Sequence, residues 1–437
     1  MFVRKKHKAL MLYSELCDLL DTLLGERNFA VVDNINDKII ALGELLAQFD
    51  NIGVGLIEQL EDIAKKIIIL QEEISNGRVN QMMQQVLGRK LYKFHEVLVH
   101  DIPDDRILKF FLPYNASMWD SLESVWMDAA ADPACDAIVM PIPYYDKNPD
   151  GSIREWHWEG EKLPENVPIV DFRTVDLKQV QPDEIYIHNP YDENNYVTSV
   201  APEYYSYNLK ECTNKLVYIP YYVTNVDTIT TETIKGYAMQ KVWLYADCII
   251  LEADKVKKIY VDYLSQLYGE DKREYFENKI KATGSPKIDK AKRTKINWDD
   301  IPSDWLSKIK KEDGTMKKVI MYGSGLSDVL QYGEKLLDKI ENSFEYFKSK
   351  TDAIAILWRP HPLIPSTIYS MRPELATRYE AIVEKYKKED WGIYDETGDL
   401  HRSIALSDAY YGDDSSILNL FRELKKPVMI EDVDIMN

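Results

Sequence analysis

Apolar residues recur every three or four positions through residues 4–100, a spacing typical of amphipathic helices. Turn-forming residues at 51–53 and 76–77 separate the stripes. The apolar positions are Leu10, Tyr13, Leu16, Leu20, Leu24; Ile39, Leu42, Leu45, Leu46; Ile57, Leu60, Ile63, Ile67; and Met82, Val86, Leu91, Phe94. We predict an N-terminal helical region over 1–102, folded as a small bundle. Its stripes fit a core, a seam between two copies in a homo-oligomer, or a docking site for partners.

From about residue 106, short apolar runs alternate with amphipathic stretches, the pattern of strands and helices in a parallel sheet. The first series has a helix expected at 117–131 and strands expected at 107–114, 135–145, 167–172, 184–190 and 215–223. This series predicts a first Rossmann-like domain over 103–228.

A second series of strands and helices begins with an apolar run at 247–253. Further strands are expected at 317–325, 353–362, 391–396, 407–416 and 427–430, with helices at 328–349 and 373–388. This series predicts a second Rossmann-like domain over 229–437. The predicted fold class is therefore α/β, with two Rossmann-like domains that face a cleft and follow the helical region.

Charge and cysteine content narrow the class of protein. The 437 residues carry a net charge of −19, the wrong sign for a broad basic face that grips nucleic acid. The four cysteines are tens of residues apart, without the paired spacing of a zinc or dithiol site. We expect a folded protein of a reducing compartment, the cytoplasm, with no nucleic-acid partner.

The sequence also bears on whether the chain contacts a membrane. The longest apolar runs, such as 66–70, are far shorter than the roughly 20 residues needed to span a bilayer. The first residues contain a small basic cluster, formed by Arg4, Lys5, Lys6 and Lys8. This cluster leaves peripheral contact with the inner face of the cell membrane open.

Three loops at predicted strand ends carry residues that suit phosphate chemistry, and ligands of parallel sheets bind at those ends. The first loop is Gly323-Ser324-Gly325, which lies between a strand and a helix. Glycine lets backbone N–H groups approach an anion, and the helix N-terminus favours negative charge. A plain strand-to-helix turn explains the same residues equally well.

The second loop holds Arg359 and His361, each followed by proline. The prolines restrict the backbone around the imidazole, which can donate a hydrogen bond to a leaving phosphate. Arg359 can neutralise charge or pair with an acidic neighbour. The structural alternative is an ordinary Arg beside an exposed His. His157 and His401 lack such a setting and are predicted to be surface residues.

The third loop, residues 412–416, opens a helix with Asp413, Asp414, Ser415 and Ser416. Asp or Ser at this position is sufficiently explained as a helix cap. Alternatively, the two hydroxyls and the helix N-terminus hold a diphosphate. All three loops belong to one predicted sheet and should converge on one edge of it.

These loops, with Gly284-Ser285-Pro286, resemble the C-terminal half of the CDP-glycerol glycerophosphotransferase family, the teichoic-acid polymerases. The resemblance covers about residues 215–430. It implies the two-domain GT-B fold and transfer of glycerol phosphate from a CDP-linked donor to a cell-envelope polymer or glycolipid. It also implies that His361, Ser415 and Ser416 bind the donor pyrophosphate beside Arg359, with Gly323, Ser324 and Gly325 contributing to charge stabilisation.

The family also has a His-Gly-Thr-Pro motif in its first domain, whose histidine resembles a catalytic base. The corresponding stretch here, 218–224, has no histidine. His188, at another strand end, is the nearest replacement, and a core or loop-structuring role explains it equally well. With His188 as base and His361 on the donor, the expected reaction needs no cofactor and no metal, although Asp413 and Asp414 could recruit a cation.

Two other functions fit the same pattern. The first keeps the fold and changes the donor, as in a nucleotide-sugar glycosyltransferase or epimerase, because fold does not fix chemistry. The second is a non-catalytic nucleotide-binding or scaffold protein whose helical region recruits partners.

Overall fold

The computed structural model describes residues 5–78, 80–431 and 433, apart from the side chains of residues 50–52. The chain divides into two compact units, Met1–Arg106 and Ile107–Asn437. Arg4 of the basic cluster lies outside the described residues. None of the helices in the described part of the chain is both long and apolar enough to cross a bilayer.

The first unit is helical in its described residues. Its helices are α1 (Lys5–Glu26), α2 (Val32–Leu46), α3 (Asp50–Ser75) and α4 (Gln81–His100). One face of each of the four helices contributes to a single apolar core, with Leu16, Leu42, Ile63 and Phe94 fully buried. The break between α2 and α3 lies at residues 47–49, and the residues 51–53 that were predicted to form it belong to α3.

Lys6 of the basic cluster is held inside this unit. Its ammonium donates to the carbonyls of Val99 and Ile102, at 2.6 and 2.9 Å, and to Asp104 at 2.7 Å. A cation at the last carbonyls of a helix satisfies them and complements the helix dipole. The charge of Lys6 therefore stabilises the C-terminal end of α4.

The second unit is mixed α/β with parallel sheets, which confirms the α/β part of the predicted fold class. Its strands are β1 (Ile107–Phe111), β2 (Cys135–Val139), β3 (Tyr144–Lys147), β4 (Ile153–His157), β5 (Glu184–Ile187), β6 (Thr198–Val200), β7 (Lys215–Tyr218), β8 (Cys248–Leu251), β9 (Ile280–Ala282), β10 (Lys318–Ser324), β11 (Ile354–Pro360), β12 (Ile393–Tyr394), β13 (Ala409–Gly412) and β14 (Val428–Ile430).

The helices of this unit connect the strands. They are α5 (Glu123–Ala131), α6 (Leu177–Val180), α7 (Ser206–Lys210), α8 (Thr231–Ala238), α9 (Val242–Tyr245), α10 (Asp254–Tyr268), α11 (Arg273–Lys279), α12 (Pro286–Arg293), α13 (Ser303–Ile309), α14 (Leu326–Tyr332), α15 (Glu334–Lys348), α16 (Ile364–Met371), α17 (Ala376–Glu389), α18 (Leu400–Leu406) and α19 (Ser416–Glu423).

The strands form two parallel sheets and a small antiparallel one. The first sheet has the order β2-β1-β5-β7-β8-β9, the second β12-β11-β10-β13-β14, and the third β4-β3-β6. Side chains alternate across the second sheet: Val319 and Met321 enter the core on one face, and Tyr322 enters the core on the other. Both faces of this sheet are therefore buried.

The predicted boundary at residue 228 is wrong, because it falls inside the first sheet. Strand β8 pairs with β7, and β9 pairs with β8, so this sheet continues to Ala282. The second sheet begins with β10, after α12 and α13. Alternating strands and helices look alike in both sheets, and the sequence pattern does not tell which sheet a strand joins.

Three predicted elements differ in detail. The run 135–145 splits into β2 and β3 because prolines at 141 and 143 cannot donate to a ladder. The run 167–172 forms only an isolated bridge, between Ile169 and Val139. The helix expected over 328–349 breaks at Gly333, where φ is +54° and a Cβ would lie 2.1 Å from Arg372 Nη2.

Candidate functional site

The carboxyl ends of β10, β11 and β13 lie side by side, as the sequence predicts. Ser324 is paired with Pro360, and Gly323 with Gly412. The three loops with candidate phosphate-binding residues therefore meet at one edge of the second sheet. Their side-chain contacts differ from those expected.

The glycine turn is already occupied by a carboxylate. The Gly325 N–H donates to Asp413 Oδ2 at 2.6 Å, and the other Asp413 oxygen lies 2.5 Å from Lys339 Nζ. Both side chains of this ion pair are buried. The prediction that residues 323–325 bind donor phosphate is therefore not supported, because Asp413 takes the anion's place. Burial and the charge of Asp413 raise the pKa of the adjacent Asp328 to about 7.

Packing explains why glycine is found at these strand ends. A Cβ on Gly323 would lie 2.3 Å from Tyr410 Oη, and one on Gly412 would lie 2.1 Å from the Gly323 carbonyl oxygen. No side chain fits such distances without movement of the neighbouring strand. The alternative of a structural turn accounts for the glycines.

Arg359 is paired within the second sheet. Its guanidinium forms an ion pair with Asp395 and donates to the Thr397 carbonyl at 2.8 Å, and both charged side chains are buried. These two contacts fix the end of β11 relative to the loop after β12. Arg359 therefore shapes the wall of the site, and its charge is shared with Asp395.

His361 lies at a cavity of about 350 Å³, the candidate donor cavity. On the second-sheet side, the cavity is lined by residues that follow β11 and β12, including His361, Asp395 and Thr397. The opposite side, here the first-sheet side, is formed by Asn115–Ser117 after β1 and by Glu159 and Lys162 after β4 of the antiparallel sheet. It thus lies between the carboxyl edge of the second sheet and the loops that follow β1 and β4.

The tautomer of His361 follows from its contacts. The Leu363 N–H donates to His361 Nδ1 at 3.1 Å, so the neutral ring carries its proton on Nε2. Burial, with the positive charges of Lys287 and Arg359, lowers the pKa of His361 to about 4. At neutral pH this imidazole is therefore an uncharged hydrogen-bond donor.

Ser415 and Ser416 lie where α19 begins. Ser415 makes no capping hydrogen bond with its side chain, and its Oγ lies 3.2 Å from Tyr410 Oη. The candidate donor cavity, as the described residues line it, includes neither serine. The structure thus places them at the same sheet edge as His361 but outside its cavity.

His188 does not suit the predicted role of catalytic base. It is fully buried, its Nε2 accepts from the Tyr114 N–H at 3.3 Å, and its Nδ1 lies 2.9 Å from Ser121 Oγ and 3.2 Å from the Met118 carbonyl. Both ring nitrogens are therefore engaged in holding the loop after β1. Burial, with a smaller contribution from the charge of Lys287, lowers its pKa to about 4.

The low pKa of His188 predicts an acid-sensitive fold. The unfolded ring, with a pKa near 6.5, binds a proton that the folded ring does not, so stability falls as pH drops through that window. We expect His188 to contribute a loss of about 2 kcal/mol between pH 7.5 and pH 5. His188→Asn removes this titration, and urea unfolding at both pH values should show a shallower loss. Equal losses in wild type and variant would contradict this assignment.

The structure contains a buried ionic cluster that was not predicted from the sequence. His401 Nε2 lies 2.7 Å from Asp120 Oδ2, and Lys287 Nζ lies 3.3 Å from Asp120 Oδ1. All three residues are buried, so the prediction that His401 is a surface residue is wrong. Lys287 also donates to the Tyr221 carbonyl at 3.1 Å. Its position directly after Gly284-Ser285-Pro286 was the one available sequence signal.

His157 is likewise not a simple surface residue. It stacks on Tyr144 with ring centroids 4.9 Å apart, and its Nε2 lies 3.3 Å from Asp146. Asp146, Glu155 and His157 lie close enough to share a cation. However, Arg154 forms an ion pair with Asp146, and Ser366 donates to it at 2.9 Å. The guanidinium supplies the positive charge, so these residues do not fit a metal site.

The sequence matches no known family profile and no curated protein. Its structure is similar to the UDP-GlcNAc 2-epimerase of Methanocaldococcus jannaschii in complex with UDP-GlcNAc and UDP, at 13% identity and a TM-score of 0.43, covering 74% of this chain and 83% of that one. It is also similar to the Neisseria meningitidis enzyme bound to UDP-GlcNAc, at 11% identity and a TM-score of 0.42, covering 74% and 82%. A variant of the wall teichoic acid polymerase TagF has 16% identity and a TM-score of 0.39, covering 84% and 78%.

Proposed function

We propose that this protein is a transferase that binds a nucleotide-linked donor in the candidate donor cavity. The proposed donor is CDP-glycerol or a related CDP-polyol, and the proposed acceptor is a hydroxyl of a cell-envelope polymer or glycolipid. The observation that carries the proposal is His361, an uncharged imidazole that lines the cavity with its proton on Nε2. The resemblance of residues 359–362 to the donor-binding segment of the glycerophosphotransferases supports the same assignment.

In the proposed reaction, an acceptor hydroxyl attacks the phosphorus that bears the glycerol. The bond from that phosphorus to the bridging oxygen breaks, CMP leaves, and the hydroxyl proton passes to a base. His361 Nε2–H donates to a phosphate oxygen, and the nearby Lys287 charge stabilises the developing negative charge. Such preorganised donors contribute more to phosphoryl transfer than proton removal does.

The base in this proposal is a carboxylate. Glu159 lines the first-sheet side of the cavity and accepts hydrogen bonds from the Ala116 N–H at 2.8 Å and Tyr144 Oη at 3.1 Å. These bonds, with one from Lys162 Nζ at 2.9 Å, hold it in place. A carboxylate oxygen can accept more than one hydrogen bond, whereas both ring nitrogens of His188 are engaged. Glu159 therefore takes the role that His188 was predicted to have.

Titration calorimetry tests the donor assignment. Wild type should bind CDP-glycerol or CDP-ribitol in preference to UDP- and GDP-sugars. A hydrogen bond to a charged group contributes about 1.5–3 kcal/mol, so His361→Ala should weaken binding by about 10- to 100-fold. The matched control is His100→Ala, because His100 is 70% exposed and lies in the first unit.

Other outcomes assign other functions. Selective binding of a uridine or guanosine donor would move the protein to the nucleotide-sugar enzymes. No nucleotide binding at all would favour the non-catalytic scaffold. Equal affinity in wild type and His361→Ala would remove His361 from the site.

A further inference from the structure

A second and larger cavity, here the linker cavity, shares no lining residue with the candidate donor cavity. It has a volume of about 460 Å³, within the range of small-molecule sites. Its walls come from the loops after β7, β8 and β9, from α12, and from α19. Because those loops are the carboxyl ends of parallel strands, the cavity occupies the edge where such sheets bind ligands.

Asn419 joins α19 to the loop after β7 at the wall of the linker cavity. Asn419 lines the cavity and is 8% exposed, and its Nδ2 donates to the Val223 carbonyl at 3.0 Å. This bond fixes the orientation of the amide, so the remaining atom is the carbonyl oxygen. Oδ1 is buried and receives no hydrogen bond from the described residues. An oxygen buried in this way is not open to the cavity, so Asn419 contributes to the wall through its contact with Val223 and not as a ligand-binding group.

A carboxylate in the same cavity is held with one oxygen to spare. Thr224 donates to Glu252 Oε1 through its N–H, at 2.8 Å, and through its hydroxyl. Both of these bonds go to Oε1, so they leave Oε2 without a contribution from Thr224. Glu252 is therefore oriented by protein groups and offers a second acceptor.

The charges of the linker cavity disfavour an anion. Its ionisable side chains are Asp227, Glu252, Asp289, Glu423, Lys292 and Arg422, a net charge of −2. Lys292 and Glu423 pair with each other at 2.8 Å. This leaves three carboxylates against Arg422, so a phosphate group would be repelled. Hydroxyl groups suit such a mixture because each can both donate and accept.

We propose that the linker cavity binds an uncharged polyhydroxyl compound, a sugar or polyol. Its hydroxyls donate to Glu252 and accept from Arg422, both of which line the cavity. Because the ligand would contact loops of the first sheet and α19 together, binding would hold these elements at a fixed separation. The inference is independent of the nucleotide donor and goes beyond the proposed transfer reaction.

Saturation-transfer NMR with glycerol, ribitol, glucose and N-acetylglucosamine tests this site, with inorganic phosphate as the anionic comparison. We expect one or more of the neutral compounds to bind, with dissociation constants on the order of 1 mM, and phosphate not to compete. Arg422→Ala and Glu252→Gln should each weaken binding by about tenfold, the effect of about 1.4 kcal/mol. Arg422 is exposed, so its variant should fold normally.

The control is Arg89→Ala, which removes an exposed arginine of the first unit and should leave binding unchanged. Three results would overturn the site: no neutral compound binds wild type, phosphate displaces the bound compound, or both cavity variants bind as wild type does. CDP-glycerol titration of Arg422→Ala separates the two proposals. If Arg422→Ala still binds CDP-glycerol, then loss of sugar or polyol binding in this variant does not affect the assignment of the donor cavity.

Discussion

Lys339→Met is expected to lower the free energy of unfolding by about 3–5 kcal/mol, the range for removing one partner of a buried ion pair. Lys339 and Asp413 are each 1% exposed. The Lys339 ammonium also donates to the Glu431 carbonyl at 2.6 Å. Methionine fills similar space but leaves the Asp413 carboxylate buried without its cation, and that uncompensated charge dominates the loss.

The same helix provides a matched control. Lys348, also in α15, pairs with Glu389 at 3.0 Å, but the two side chains are 41% and 30% exposed. Lys348→Met should therefore cost no more than about 1 kcal/mol. Urea unfolding followed by circular dichroism measures both variants. Equal midpoints for the two variants would contradict a structural role for the buried pair.

The Asp413 contact explains why the glycine turn was misassigned from sequence. A turn with free N–H groups at a helix start suits any anion, and a protein carboxylate is as suitable as a phosphate. The carboxylate comes from a loop 88 residues away along the chain. Local spacing predicts a turn with free N–H groups. Only the pairing of β10 with β13 shows that the Asp413 carboxylate binds there.

The strands themselves were predictable because their apolar runs are local. The second sheet was placed correctly from β10 onward, and its strand ends converge as expected. The assignment of β8 and β9 failed because hydrogen-bond pairing between strands is a tertiary property. Local pattern determines that a strand forms, whereas packing determines its neighbour.

The residues of the candidate site also differ in whether local sequence or distant contacts determine their placement. His361 was predicted to bind the donor because two prolines mark its loop, and the structure places it at the wall of a cavity. His188 was found at a strand end, but its burial and two hydrogen bonds depend on the segment around Ser121. His401 had no local signal, because its partner Asp120 is 281 residues away. Burial of a polar residue depends on such distant contacts.

Asp120→Ala should be as damaging as Lys339→Met, about 3–5 kcal/mol. Asp120 lies in the short 3-10 segment Ala116–Ser121, and its partners lie on α12 and α18. Removing the carboxylate leaves the buried Lys287 ammonium with the Tyr221 carbonyl alone and deprives His401 Nε2 of its partner. The segment Ala116–Ser121, α12 and α18 thus lose the carboxylate that connects them.

The effect should depend on pH in a defined direction. Burial alone would raise the pKa of Asp120, but the charge of Lys287 and the contact with His401 outweigh it and hold that pKa below its ordinary range. A carboxylate with a lowered folded pKa contributes stability above its ordinary value near 4 and loses that stability as pH falls. The difference between wild type and Asp120→Ala should therefore shrink below about pH 4.

A double variant separates lost charge pairing from lost packing. If the penalty of Asp120→Ala arises from the unpaired ammonium, then adding Lys287→Met should restore part of the stability, because an apolar pair avoids desolvation of a lone charge. If it arises from a packing defect, the second substitution should add to the first. Lys287→Met also removes a charge that lowers the pKa of His361, so the imidazole proton signals should titrate at higher pH. An unchanged titration of His361 would mean that Lys287 does not act on the candidate donor cavity.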